Sequence, residues 1–350
     1  MKTFRIPGVQ THAWTLTLIC LLIFSCKQGE RTKADSAFKA YIASFTSGTI
    51  SKEAAIRVSL QADAVKPEAV NTAAEKNPFT FSPGIKGTAV WVDSRTVEFR
   101  PAELLRPGTA YNATFTLSSV MKVPQKFSKF DFDFSVITPS LEVKVTGLRP
   151  LDNRNFDRQY LLGSLGTADV EDLASVEKML TASQDDRPLP ITWTPGGDRM
   201  NHDFRVDSIV RGEDSSAVKL SWNGKAINAN QQGERLITVP ALGDFTVTNT
   251  YVIQQETEQH LLIEFSDPLL ENQNLEGLIS LGGMTDMKFT VEGNTISVYP
   301  SSRQTTTLTL VVDAAVKNGM GKNMAAEYRQ NILFEEIKPA LQAEIDKVVP

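Results

Sequence analysis

Asp169, Glu171 and Asp172 place three carboxylates within four residues, the raw material of general acid–base chemistry at a sugar bond. The same three also stand where the first turn of a helix would begin, and negative charge is stabilising there. The helix-terminus reading is the favoured one. His202 lies beside Asp198 and Asp203, which is half of a metal site. No second histidine or closing glutamate stands at ligand spacing, and the Gly196-Gly197-Asp198 turn reads as a solvated connector. His260 precedes an apolar strand and reads as a rim residue. Asp267, before Pro268, either caps a turn or binds calcium, but its neighbours do not supply the six or more oxygens calcium takes. Trp91, Trp193 and Trp222 are candidates for a sugar-stacking platform, yet each lies in or beside an alternating strand, where core or interface packing is the ordinary role. Asn112-Ala113-Thr114 matches a glycosylation acceptor but sits inside a strand pattern. No Gly-x-Ser-x-Gly nucleophile turn and no phosphate-binding glycine loop occur. The residue types therefore point away from an enzyme, with no metal and no cofactor expected.

One residue does have a chemical context. Cys26 follows Ile23-Phe24-Ser25 at the end of an apolar stretch that runs from Leu16 and is preceded by Lys2 and Arg5. A positive start, an apolar core of signal-peptide length and a small residue before the cysteine describe a lipoprotein signal. The core is shorter than the ~20 residues of a spanning helix. An ordinary cleaved signal would leave Ile23 badly placed and Cys26 unexplained. Residues 1–25 read as the signal, Cys26 as the acylated first residue, and 26–36 as a polar tether. Cys20 lies within the signal, so the mature chain has no free thiol for catalysis or a disulfide.

Those residues are carried by a chain built for sheets. The 350 residues are 41% hydrophobic and 8% aromatic, with a net charge of −5 and no basic stripe, so a nucleic-acid partner is not expected. Ile56, Val58 and Leu60 alternate with polar neighbours, as do Val97 with Phe99, Tyr111 to Leu117, and Phe130 to Val136. Period-2 segments split by proline and glycine predict sandwiches with one buried face per strand. Ser82-Pro83-Gly84 and Arg106-Pro107-Gly108 are turn signals. Residues 37–45 fit either a short helix or a strand. Val170, Leu173, Val176 and Leu180 fall at helical spacing and predict one short helix over 169–180. Val92 to Pro101 parallels Val291 to Pro300: a tight turn, a threonine, alternating apolar residues and a final proline. This internal repeat, with a further alternating strand after each copy, predicts two related modules. Thr138-Pro139-Ser140 and Pro240 punctuate the chain, giving units 37–138, 139–240 and 241–339, then the start of a further element or a truncated end at 340–350.

Several stretches resemble the N-terminal region of bacterial alpha-2-macroglobulin family lipoproteins of the Bacteroidetes type. The signal ending at Cys26 fits, and so do Phe79-Thr80-Phe81-Ser82-Pro83 and Leu105 to Tyr111, which look like a bacterial Ig-like module. Ile263-Glu264-Phe265-Ser266-Asp267-Pro268-Leu269 and Leu220 to Lys225 resemble parts of macroglobulin-like domains. The resemblance implies an all-β chain of tandem Ig-like or macroglobulin-like β-sandwich domains, with the short helix in the middle one. It also implies a lipid-anchored arm of a protease inhibitor in the cell envelope, with a protease or other protein as partner. Lys27 follows the cysteine where an acidic residue retains such lipoproteins at the inner membrane in some bacteria, so by that analogy the outer membrane is expected. The family's thioester needs a Cys-x-x-Gln segment, and none exists outside the signal, so no trapping residue carries over. The rival reading is an envelope lipoprotein whose Ig-like modules bind glycan or protein in adhesion. Replacing Cys26 by serine (Cys26→Ser) should move the protein from the membrane pellet to the soluble fraction on ultracentrifugation. Retention in the pellet would show that something other than this residue anchors it.

Overall fold

The computed structural model describes residues 36–152, 156–255, 258–284 and 286–335. Residues 1–35, with the signal and Cys26, and residues 336–350 lie outside them. Six antiparallel or mixed sheets enclose three separate apolar cores, two sheets to each core. The expectation of an all-β chain of tandem sandwiches, with one short helix in the middle unit, holds.

The first core is dominated by phenylalanine. Ile56–Leu60 and Thr96–Pro101 form the middle of one sheet, and Ala110–Phe115 and Phe130–Val136 the middle of the other. Alternation turns Val58, Val97 and Phe99 inward from the first, and Phe115, Phe132 and Phe134 inward from the second. Rings pack tilted or edge-on, as between Phe81 and Phe99, whose centroids are 4.7 Å apart. Residues 37–45, undecided in the sequence, divide into a 3-10 turn at Ser36–Ala40 and a strand at Ile42–Phe45.

The predicted helix over 169–180 is shorter than its apolar spacing suggests. It covers only Leu173–Glu177, with Asp172 as N-cap, and Leu180 already begins the strand Leu180–Gln184. Sheet pairing with Ser216–Asn223 takes the chain over at that point. A ten-residue strand at Arg158–Thr167 has no clear signature in the sequence, because glycine occupies one of its inward positions. The reason is packing: a Cβ on Gly163 would lie 2.3 Å from the Phe204 ring, which fills that space from the paired strand. The repeat reappears as topology. Gly87–Trp91 and Thr96–Pro101 form an edge hairpin joined to Ile56–Leu60, and Met287–Glu292 and Thr295–Pro300 form the same arrangement on Gln259–Phe265.

Glu98 sits among the buried groups of the first unit, between Arg57 and Arg100. Burial pushes its carboxyl up, but hydrogen bonds from Arg100 and Arg57 outweigh burial and hold it below the ordinary 4.5. A group held low when folded stabilises above its unfolded value, and that contribution is lost as pH falls through the folded value. The wild-type protein should therefore lose stability as pH drops below about 4.5, and Glu98→Gln should flatten that part of the dependence in acid-unfolding curves. An unchanged acid limb in the variant would assign the loss to other carboxylates.

Candidate functional site

Apart from Glu98, the buried carboxylates and Arg211 gather where one sandwich meets the next. At the first meeting point, the loop after Gly48–Ile50 reaches the segment before the helix. The Lys52 amide donates to Asp169 Oδ2 at 2.8 Å, and Lys52 Nζ pairs with Glu171 at 2.7 Å, both side chains about nine-tenths buried. Arg199 reaches back and donates to both oxygens of Glu53 at 3.0 and 2.8 Å. The three carboxylates at 169–172 therefore split. Asp172 alone caps the helix, accepting from the Ser175 amide at 2.8 Å, and that hydrogen bond lowers its pKa. Asp169 and Glu171 form neither a catalytic pair nor a helix-terminus set; they clasp the neighbouring unit.

The second meeting point is more deeply buried. Arg211 follows the strand Asn201–Val210, and its side chain has no exposure. Nε donates to the Pro240 carbonyl at 3.0 Å, and Nη2 donates to the Ala241 and Asp244 carbonyls at 2.6 and 3.0 Å. Nη1 pairs with the Asp267 carboxylate and reaches the Phe156 and Ser266 carbonyls at 3.4 Å. The other Asp267 oxygen accepts from Asn318 Nδ2 at 2.8 Å. One guanidinium thus holds the second unit, the connecting segment and two parts of the third. Asp267 is neither an exposed turn cap nor a calcium ligand but the buried partner of this arginine.

A second buried pair lies beside it. Arg149 pairs with Glu264, which also accepts from Tyr251 Oη and Asn249 Nδ2, both at 3.3 Å. Glu264 points to the outer face of its sheet, yet it is fully buried because the second unit packs over it. Burial and the Glu264 charge raise the Tyr251 phenol. Gly147 is required at this contact: a Cβ there would meet Glu264 Oε2 at 2.0 Å. The main chain of unit two joins in, with the Leu148 and Thr146 carbonyls accepting from Asn294 and Asn249.

The remaining candidates scatter. Asp198 accepts from the Met200 and Asn201 amides, and these bonds hold its carboxyl at about 2. His202 is buried and its Nε2 lies 3.2 Å from the Arg199 carbonyl. His260 stacks on Tyr299 at 4.8 Å. Trp91 is buried in the first core. Trp193 packs edge-on against Phe204, and Trp222 lies over Gly233, both half-buried and on different sheets. Among the described residues, no group of three or more His, Cys, Asp or Glu is placed to hold a metal, and no helix is long and apolar enough to cross a membrane. Arg149, Arg211, Glu264 and Asn318 escape sequence reasoning because their partners are distant in the chain. The one local hint was a glutamate inside the apolar run Ile263-Glu264-Phe265.

No family model matches the chain, and no curated protein does. Solved structures that resemble it do so weakly. A Bacteroides ovatus mixed-linkage glucan utilization locus protein, SGBP-B, bound to a mixed-linkage heptasaccharide, is 11% identical with a TM-score of 0.25, over 83% of this chain and 66% of that one. A protocadherin gammaB7 fragment is 12% identical with a TM-score of 0.23, over 83% and 72%. An L,D-transpeptidase of Mycobacterium tuberculosis is 11% identical with a TM-score of 0.21, over 64% and 75%. At these scores none bears on function.

Arg211→Ala would leave the Asp267 carboxylate buried without its partner, a defect that costs about 3–5 kcal/mol. Arg211→Lys should recover only part of that, because an ammonium cannot reach the carbonyls the fork spans. Chemical denaturation should show the order wild type, lysine, alanine, with limited proteolysis of the alanine variant opening residues 240–246. Equal stability of all three would remove Arg211 from its structural role.

Proposed function

We propose that the chain is a non-catalytic, lipid-tethered arm of an envelope protease-trapping protein, the role its resemblance to the alpha-2-macroglobulin lipoproteins implies. The supporting observation is the use made of buried charge. Arg211 with Asp267, Arg149 with Glu264, and Lys52 with Glu171 all link one sandwich to the next. Buried ionisable groups at an active site converge on a cavity where substrate can enter. Here they are neutralised by one another, which suits an element that transmits position and force. Cys26 supplies the tether, and several acyl chains on one residue hold firmly where a single chain would not.

A second reading, binding of glycan by the sandwich loops, has one observation in its favour. Trp222 borders a shallow recess of about 380 Å³ edged by Lys178, Asn223, Gln232 and Glu234. An aromatic face ringed by amides and charges is suitable chemistry for a pyranose. Trp91, buried in the first core, plays no part in it.

The purified chain should turn over no peptide, ester or glycan substrate, and spin labels on the second and third units should report one narrow distance distribution. Measured turnover, or a broad distribution, would reject the arm. Affinity purification from cell envelopes should recover a thioester-bearing polypeptide, detected by labelling with a radioactive amine. Its absence, together with saturable glycan-array hits lost in Trp222→Ala, would favour the second reading.

A further inference from the structure

The strand Gln232–Val239 is the longest sheet edge of the second unit that keeps an unbroken register. It pairs with Ser216–Asn223 through eight residues in unbroken register, and among the described residues its other side has no backbone partner. Some other edges are blunted. Arg187–Leu189 has only three residues and contains Pro188. Leu141–Pro150 and Val247–Gln254 each break register. A long, flat, unpaired edge is a template for another strand, and proteins ordinarily disable it.

This edge opens onto a groove. Residues 235–238 form one wall, 145–148 the facing wall and 246–249 the end, around a space of about 270 Å³. The walls are apolar or carry threonine and asparagine, and Arg235 is the only charged residue among them. Its partners in the sheet show where it points. Gly233, Arg235, Ile237 and Val239 lie opposite Trp222, Leu220, Val218 and Ser216, and Leu220 and Val218 are wholly buried. Arg235 is thus on the inward face of an edge strand and exposed, and among the described residues it has no ion pair or side-chain hydrogen bond. An inward charge at an edge rejects an incoming strand that is apolar at that position. It admits one that brings a carboxylate there, since opposite charges directly across a ladder attract and like charges repel. On the outer face, Leu236 is 65% exposed and offers an apolar contact one residue along.

We propose that Gln232–Val239 is a docking edge for an extended segment of another polypeptide, one that presents a carboxylate to Arg235. Backbone pairing supplies the affinity, and the carboxylate and the residue over Leu236 supply the selection. A second copy of this chain does not fit. Antiparallel pairing of two such edges about a twofold axis sets inward residues against inward residues, and Gly233, Arg235, Ile237 and Val239 include no acid. The proposal stands apart from the protease-trap reading, which needs no partner at this edge.

The test uses the full chain in detergent and a fluorescent ten-residue peptide of alternating threonine and valine, with one central valine replaced by glutamate. Its controls carry lysine at that position, or N-methyl groups on alternate amides. Anisotropy should show saturable binding of the glutamate peptide, roughly fivefold or more tighter than the lysine peptide. The N-methylated peptide should not bind. Arg235→Glu, at an exposed position, should invert the preference between the two charged peptides. Failure of the glutamate peptide to bind, equal binding of the N-methylated form, or an unaltered preference in Arg235→Glu would each overturn the proposal.

Discussion

The guanidinium of Arg211 is the constraint on which the relation between the second and third sandwiches rests. A fully buried cation is tolerated only if its charge is matched and its donors are engaged, because desolvation costs several kcal/mol per ion. Arg211 meets both conditions by drawing on the second unit, the connecting segment and the third unit together. None of those pieces could move without leaving a donor or the Asp267 carboxylate stranded away from water. Arginine suits the position because its planar fork reaches acceptors in several directions at once, which an ammonium does not.

The same physics explains why the other buried charges sit where they do. Each sandwich has an apolar core of its own. Between sandwiches, polar groups supply directional links. Glu264 illustrates the cost: it faces outward from its own sheet and needs Arg149, Asn249 and Tyr251 once the second unit covers it. Gly147 is small so that the carboxylate can enter. Such links contribute modestly to net stability, but they penalise every misaligned arrangement. The carboxylates that resemble catalytic pairs in the sequence clasp Lys52 in the structure in the same way.

Edges pose the complementary problem. Among the described residues, several edge strands are very short, contain proline or break register. Gln232–Val239 is guarded by a single inward arginine and a salt bridge from Glu234 to Lys219 on the other face. Protection by one charge is conditional protection, which is a different design from a bulge that forbids pairing outright.

The all-β class was legible because alternation is a local property: whichever face Val58, Phe99 or Phe132 turns inward, its neighbours two residues away must follow. The hairpin repeat and the helix near 173 were visible for the same reason, since spacing and turn chemistry act within a few residues. The strand at Arg158–Thr167 was not, because its inward glycine makes sense only beside Phe204, which arrives from a separate strand. The roles of Asp169, Glu171 and Asp267 were misplaced for a related reason. A carboxylate reads the same in sequence whether it faces water, a metal or an arginine, and the partners Lys52 and Arg211 stand 117 and 56 residues away from Asp169 and Asp267. Local periodicity determined which strands form and which faces they bury; the burial that turns an outward charge into a joint came only from packing one finished sandwich against another.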